Sequence, residues 1–196
     1  AWAYRRDVIQ VGAAPTGALT AASLLGGACG AGLLLTLPAA SFDAAVPWLL
    51  AFATVVLAFG RPLTRRIDRA LRRAPGLPVP AILAGQFGLA IYGGYFGGAV
   101  GILLLAFWSA GLGIDPAAGN PTRVTQLAAI NLVAAGIFLL GADVLAAPGP
   151  VLAMLLGAVA GGYGGARIAR RLPSRVLRAL VLVTAVSMTV LYFARG

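Results

Sequence analysis

The 196-residue sequence contains no histidine, no lysine and no glutamate, and its only acids are Asp7, Asp43, Asp68, Asp115 and Asp143. Without histidine, neither a histidine metal site nor a histidine proton relay can be built. With one cysteine, Cys29, and no glutamate either, a nucleophile–base pair has little material. No phosphate-cradling loop motif occurs. The expectation is therefore a non-enzyme with no cofactor and no metal. Cys29 cannot form an internal disulfide, and its apolar, glycine-rich surroundings mark it as a packing residue. Charged residues make up 10% of the chain, against about 25% in a soluble domain.

What remains is apolar: 60% of residues are hydrophobic and the mean hydropathy is +0.94. Such a composition describes an α-helical, multi-pass membrane protein with no soluble domain. All 15 basic residues are arginines, giving a net charge of +10. A basic balance suits nucleic acid, but here the arginines lie between apolar runs, so membrane topology accounts for them and nucleic acid is excluded as a partner. Six apolar segments follow one another: 15–37, 46–59, 81–111, 124–141, 151–166 and 176–193. Gly60 and Pro62 are expected to close the second. Arg61–Arg73 and Arg167–Arg178 read as solvated basic loops, the first with a surface-lying amphipathic helix as its alternative. Gly113–Arg123 reads as a turn-rich loop, and Ala74–Pro80 as a stiff linker between halves. The expected organisation is thus 1–73 as the remainder of a first repeat with its basic cytoplasmic loop, 74–80 as linker and 81–196 as a second repeat. Residues 1–10 are too short in apolar length for a signal peptide and read as the end of an earlier helix.

Ala81–Gly111 is uncharged and too long for one crossing, since about 20 helical residues span about 30 Å of hydrocarbon. Its middle, Tyr92-Gly93-Gly94-Tyr95-Phe96-Gly97-Gly98, packs four glycines into six positions, with Gly101 one turn on. Each glycine weakens a helix by about 1 kcal/mol relative to alanine. A break at membrane depth survives only where protein or a wet cavity covers the freed backbone, and in transporters such breaks hold substrate. The same glycines would also serve close helix packing, and at this stage both readings stand.

Shifting the chain by 135 residues superposes Gly26, Gly27, Gly30, Ala31, Leu37 and Pro38 on Gly161, Gly162, Gly165, Ala166, Leu172 and Pro173. The second repeat starts near Ala81, so the first is expected to extend about 55 residues ahead of Ala1, including its own glycine break. Arginine placement orients the repeats. If the 81–111 stretch crosses once, the arginines divide almost evenly between the two faces. If it folds back at the glycines, every arginine but Arg195 shares one face. The positive-inside rule favours the fold-back, and the repeats then become inverted in topology.

A fold-back starts a half-helix near Ala99 whose first N–H groups are unpaired and carry the positive dipole end, a site suited to an anion. Gly93, Gly94, Gly97, Gly98 and Gly101 would let the anion approach the backbone. Tyr92 and Tyr95 flank the break with hydroxyl donors, interfacial anchoring being their other reading. Arg123 either clamps the anion or snorkels to headgroups. Thr125 and Gln126 follow it, and Asn131, about two turns on, needs a partner in ligand or helix. Trp108 and Ser109 are weaker candidates. Gly157, Gly161, Gly162, Gly164 and Gly165 fit helix packing. Asp143 either caps or titrates.

Four motifs, in order, carry a family resemblance. AWAYRR (Ala1–Arg6) followed by LLGGACGAGLLLTLP and FDAAVPWLLAFATVVLAFG resembles the middle of the sulfite exporter TauE/SafE family. IYGGYFGGAVGILLLA (Ile91–Ala106) is similar to its tyrosine–glycine signature, and Asn120, Arg123 and Asn131 to its asparagine, basic residue and second asparagine. GGYGGARIARRLPSRVLR (Gly161–Arg178) is similar to its closing motif. Pro121 departs from that pattern, and the first signature is absent. The resemblance implies an inverted-repeat carrier in the bacterial inner membrane, exporting sulfite or an organosulfonate. It adds Asn120 to the substrate residues. Its partners are a small anionic substrate and the lipid bilayer, and a homo-oligomer is compatible with it. The competing functions are a carrier of another small anion, such as a carboxylate, and a non-transporting membrane scaffold.

Overall fold

A computed structural model describes residues 16–71, 77–114, 118–141, 148–169 and 171–195; for 60–71 and for scattered positions elsewhere it describes the backbone alone. Among the described residues there is no strand. Seven helices follow in order: α1 (Thr16–Thr36), α2 (Ala39–Leu71), α3 (Val79–Tyr95), α4 (Val100–Leu112), α5 (Asn120–Gly141), α6 (Pro148–Ala169) and α7 (Ser174–Arg195). The chain is an all-α membrane protein. By length and composition α1, the Ala40–Phe59 part of α2 and α5 can each cross a bilayer.

Helix boundaries differ from the sequence reading in one consistent way: helices run on into the arginine-rich segments. α2 starts directly behind Pro38, where the Ser41 N–H donates to the Pro38 carbonyl at 2.9 Å, and continues for 33 residues through Pro47, Gly60 and Pro62. Neither proline ends it, although each removes an N–H donor and sets its ring against the carbonyl four residues back. Arg61–Leu71 is therefore the end of α2, neither a solvated loop nor a separate surface helix. At about 50 Å, α2 is longer than the hydrocarbon is thick. Likewise only residues 170–173 separate α6 from α7, and Asn120–Arg123 belong to the first turn of α5. Asp7, Asp115 and Asp143, residues 1–15 and the first three residues, 74–76, of the 74–80 linker lie outside the described residues, while Val79 and Pro80 open α3.

The glycine-rich stretch is two helices, of about 26 Å and about 20 Å, joined by Phe96–Ala99. They run antiparallel. At the open end the Leu77 N–H donates to the Gly111 carbonyl at 2.8 Å. Midway Trp108 Nε1 donates to Gln86 Oε1 at 2.9 Å, and Gly85 lies under the Phe107 ring. At the closed end Gly93 faces Val100. The expected fold-back is present, and its turn needs left-handed backbone at Gly97 (φ 79°) and Ala99 (φ 59°).

α1 seats this hairpin. Gly26 and Gly30 lie on the backbone of α3 at Phe87–Ile91 and Ile91–Tyr95, Gly94 lies on the backbone of Gly27, and Gly27 meets Ile130 of α5. The contacts advance together along both chains, so α1 and α3 run parallel, backbone against backbone, as small-residue membrane crossings do. Leu19, Ile82, Val100, Leu104 and Trp108 form the apolar core between α1 and the hairpin. α2 packs on α4 and α7. Cys29 falls on the face of α1 turned away from these crossings and is exposed, not a packing residue. α6 is exposed along nearly all of its length, and nothing among the described residues lies within 4 Å of a Cβ built on Gly157, Gly161, Gly162, Gly164 or Gly165. The packing expected of those glycines is thus not made here.

Candidate functional site

α4 begins at a bare end. Its cap, Ala99, is a left-handed residue with no side chain to offer the first turn, and the ladder starts with Ile102 and Leu103 donating to the Ala99 carbonyl. The earlier N–H groups of the turn are the donors that every helix N-terminus leaves over. Beside them lies Arg123. Its Cδ and Nη1 stand 3.5 and 3.8 Å from the position a Cβ would take on Gly101. A Cβ at 101 would make ordinary contact with the Arg123 side chain and would press on Leu127 Cδ1, 3.0 Å away.

Arg123 reaches that position because α5 starts at Asn120, three residues before it; its own N–H is spent on the Gly119 carbonyl at 2.9 Å. The half-buried side chain lies against α4, and its Nε is buried without a hydrogen-bond partner. The electrostatics favour an anion. The N-terminal ends of α4 and α5 each carry about half a positive charge, and a guanidinium is held between them.

Tyr92, one turn before the break, is the second donor left over. Its hydroxyl is buried and unpartnered, while its ring stands edge-on to Phe52 at 5.7 Å and tilted against Phe96 at 6.0 Å. Tyr95 stacks obliquely on Phe42 at 5.9 Å. The other residues singled out divide. Gly97 supplies the left-handed turn and Gly98 lies against the Phe96 ring. Gly93 and Gly94 are buried in helix contacts, with Gly94 filled by the α1 backbone, so neither offers a ligand an approach. Asn131 is exposed on α5 and returns its amide to the Leu127 carbonyl at 2.9 Å, apart from the break. Asn120 is half-buried at the start of α5.

A buried polar network sits deeper and was not legible as a unit. Gln86 Nε2 donates to Ser23 Oγ at 2.8 Å while its Oε1 accepts from Trp108, pinning α3 to α1 and α4 together. Gln126 Nε2 donates to Thr20 Oγ1 at 3.1 Å, and Thr20 passes its own proton to the Thr16 carbonyl at 2.9 Å. Thr20 has no second proton, so the orientation of the Gln126 amide is determined and its Oε1 is left as a fully buried acceptor without a partner. Ser109 Oγ is in the same condition. The available signal was a lone glutamine in an uncharged run, with a tryptophan 22 residues on.

A planar cation beside the backbone donors of a helix N-terminus is chemistry suited to a small oxyanion, while the Tyr92 ring packs against Phe52 of α2 and Phe96. Among the described residues no group of three or more acidic, cysteine or histidine side chains could hold a metal. Neither a search of curated proteins nor one of solved structures returned a match to the chain. A family model described as "Sulfite exporter TauE/SafE" matches residues 1–192.

Proposed function

We propose a transport role from one premise, that this chain belongs to the sulfite exporter TauE/SafE family. The family's members are membrane transporters of sulfite and related sulfur anions. For this chain the reading is export of sulfite or an organosulfonate across the bacterial inner membrane, with the anion held at the α3–α4 break. The observation that supports it is Arg123, laid against the first turn of α4 with its Nε buried and unpaired. A guanidinium offers two parallel N–H groups to two oxygens of one sulfur, and the bare helix end offers the third oxygen its backbone donors. Tyr92 stands at the apolar wall with a hydroxyl to give.

The test is thermal stabilisation of the purified protein by sulfite, thiosulfate, short sulfonates and carboxylates in turn, because a ligand that binds the folded state raises its melting temperature. Sulfur anions are expected to stabilise the parent protein and to lose that effect in Arg123→Ala. Stabilisation by carboxylates alone would transfer the site to another anion class. No stabilisation by any of them, with transport absent in vesicles, would favour the scaffold reading.

A further inference from the structure

The helices around the hairpin divide by what joins them. α1, α3, α4 and α5 are tied together by polar side chains and by backbone laid on backbone. Gln86 bonds both Ser23 and Trp108, Gln126 bonds Thr20, and Gly26, Gly27, Gly30 and Gly94 let α1 lie against α3 and α5. Parting these helices would strand buried polar atoms. α2 meets the hairpin differently. Phe42 lies obliquely on Tyr95 at 5.9 Å, and Phe52 stands edge-on to Tyr92 at 5.7 Å. The Ala53 Cβ is 3.4 Å from the position a Cβ would take on Gly98. At these three points the contact is ring on ring or methyl on glycine, and all three lie in the Phe96–Ala99 turn or within about one helical turn of it.

We infer that α2 is a gate over the α3–α4 break: Phe42, Phe52 and Ala53 hold it shut in this structure, and water and small solutes reach Tyr92 and the first turn of α4 when α2 withdraws. Lipid tails are as apolar as the rings they would replace, so α2 gives up little by moving away from these contacts. Against the shut position stands the Tyr92 hydroxyl, buried without a hydrogen-bond partner while its ring lies between Phe52 and Phe96. An unpaired buried hydroxyl carries a penalty that water or a solute oxygen removes. Ring contacts thus favour closure and the orphaned hydroxyl opposes it. Two positions of similar free energy are what a gate needs, since a small differential interaction then shifts the balance between them. The inference concerns access to the break and holds whichever anion is carried.

Hydroxyl-radical footprinting of the whole chain in lipid nanodiscs, read at Tyr92 by mass spectrometry, tests the gate. A bridge between Ala53→Cys and Gly98→Cys, on a Cys29→Ser background, locks it. The two Cβ atoms fall close to the separation of about 3.5–4.5 Å that a disulfide needs, and the tip of the Phe96 ring turns aside to admit the new side chain. Tyr92 is expected to be oxidised at least tenfold more slowly in the bridged protein than in the same protein reduced. Phe52→Ala, which leaves the turn untouched, should raise Tyr92 oxidation at least threefold over the parent. Equal oxidation of Tyr92 in bridged and reduced protein, or a Phe52→Ala rate equal to the parent's, would overturn the gate and leave α2 a fixed wall. Failure of the bridge to form would overturn it by placing α2 off the turn. In proteoliposomes sulfite flux should stop when the bridge forms and return with reductant. Absence of flux in the reduced protein, with the footprint as expected, would count against sulfite as the substrate while the gate stands.

Discussion

At Arg123 the decisive property is shape as much as charge. Lysine would keep the cation but lose the fork that matches two oxygens of one sulfur. Arg123→Lys is expected to weaken sulfite binding about tenfold or more, the scale of a lost charge-assisted hydrogen bond, with little change in folding; isothermal titration checks it, and unchanged binding would return Arg123 to the headgroups. Tyr92→Phe removes one neutral donor, so affinity should fall only several-fold, in line with about 0.5–1.5 kcal/mol. Ala99 caps α4 with φ 59°, a conformation that costs an L-residue roughly 1–2 kcal/mol. Ala99→Gly should therefore raise the thermal midpoint of the unliganded protein, whereas Gly97→Val, at φ 79°, should lower it and impair binding together. A parent-like Gly97→Val protein would mean that the turn geometry has no part in the site.

At the level of helices, glycines of identical appearance in sequence have opposite roles. Gly30 and Gly94 are contact points where backbones touch, and a side chain at either forces α1 and α3 apart. Gly161 and Gly165 have nothing among the described residues within 4 Å of a Cβ built on them. Gly94→Leu should prevent purification of a monodisperse protein, while Gly161→Leu should not, as size-exclusion profiles will report. The glutamine latch makes a finer prediction. Trp108→Phe keeps the ring in the core but leaves Gln86 Oε1 buried without its donor, a loss of about 1–3 kcal/mol, read as a lowered thermal midpoint. Replacing both partners, Gln86→Leu with Trp108→Phe, should recover part of it, because no buried polar atom of that pair is then left unsatisfied. Additive destabilisation in the double variant would show that the bond between them is not what holds the hairpin.

Across the whole molecule, if the hairpin leaves the membrane on the side it entered and α5 and α6 each cross, α2's basic end and the α6–α7 connection share one face, as the arginine placement favours. Single cysteines at Arg69 and Arg171, on a Cys29→Ser background, are expected to resist an impermeant thiol reagent applied from outside and to react once the membrane is opened. External labelling of either would break the topology. The Thr54–Thr189 hydroxyl contact joins α2 to α7 at 3.2 Å, so Thr54→Val is expected to lower the thermal midpoint modestly through that lost contact, with the midpoint of Thr189→Val as its check.

Membrane residence, helical class and family were all readable from residue order, because apolar run length, arginine placement and motif spacing act locally along the chain. The fold-back was readable too, since four glycines in six positions disfavour a straight helix in any surroundings. Helix ends were misplaced at Pro62 and in both arginine-rich runs, where helices continue past positions that local propensity alone would break. Of the proposed site, Tyr92, Gly97 and Gly101 are marked in the sequence by their clustering, and Arg123 by opening an apolar segment. That Arg123 lies beside Gly101 depended on α5 packing beside α4, and that Gly94 meets a helix depended on α1 crossing there. Ser23, Gln86 and Trp108 became one network only once three helices met. Spacing along a chain sets which face of a helix a residue occupies; which neighbour that face meets is set by packing between segments distant in sequence.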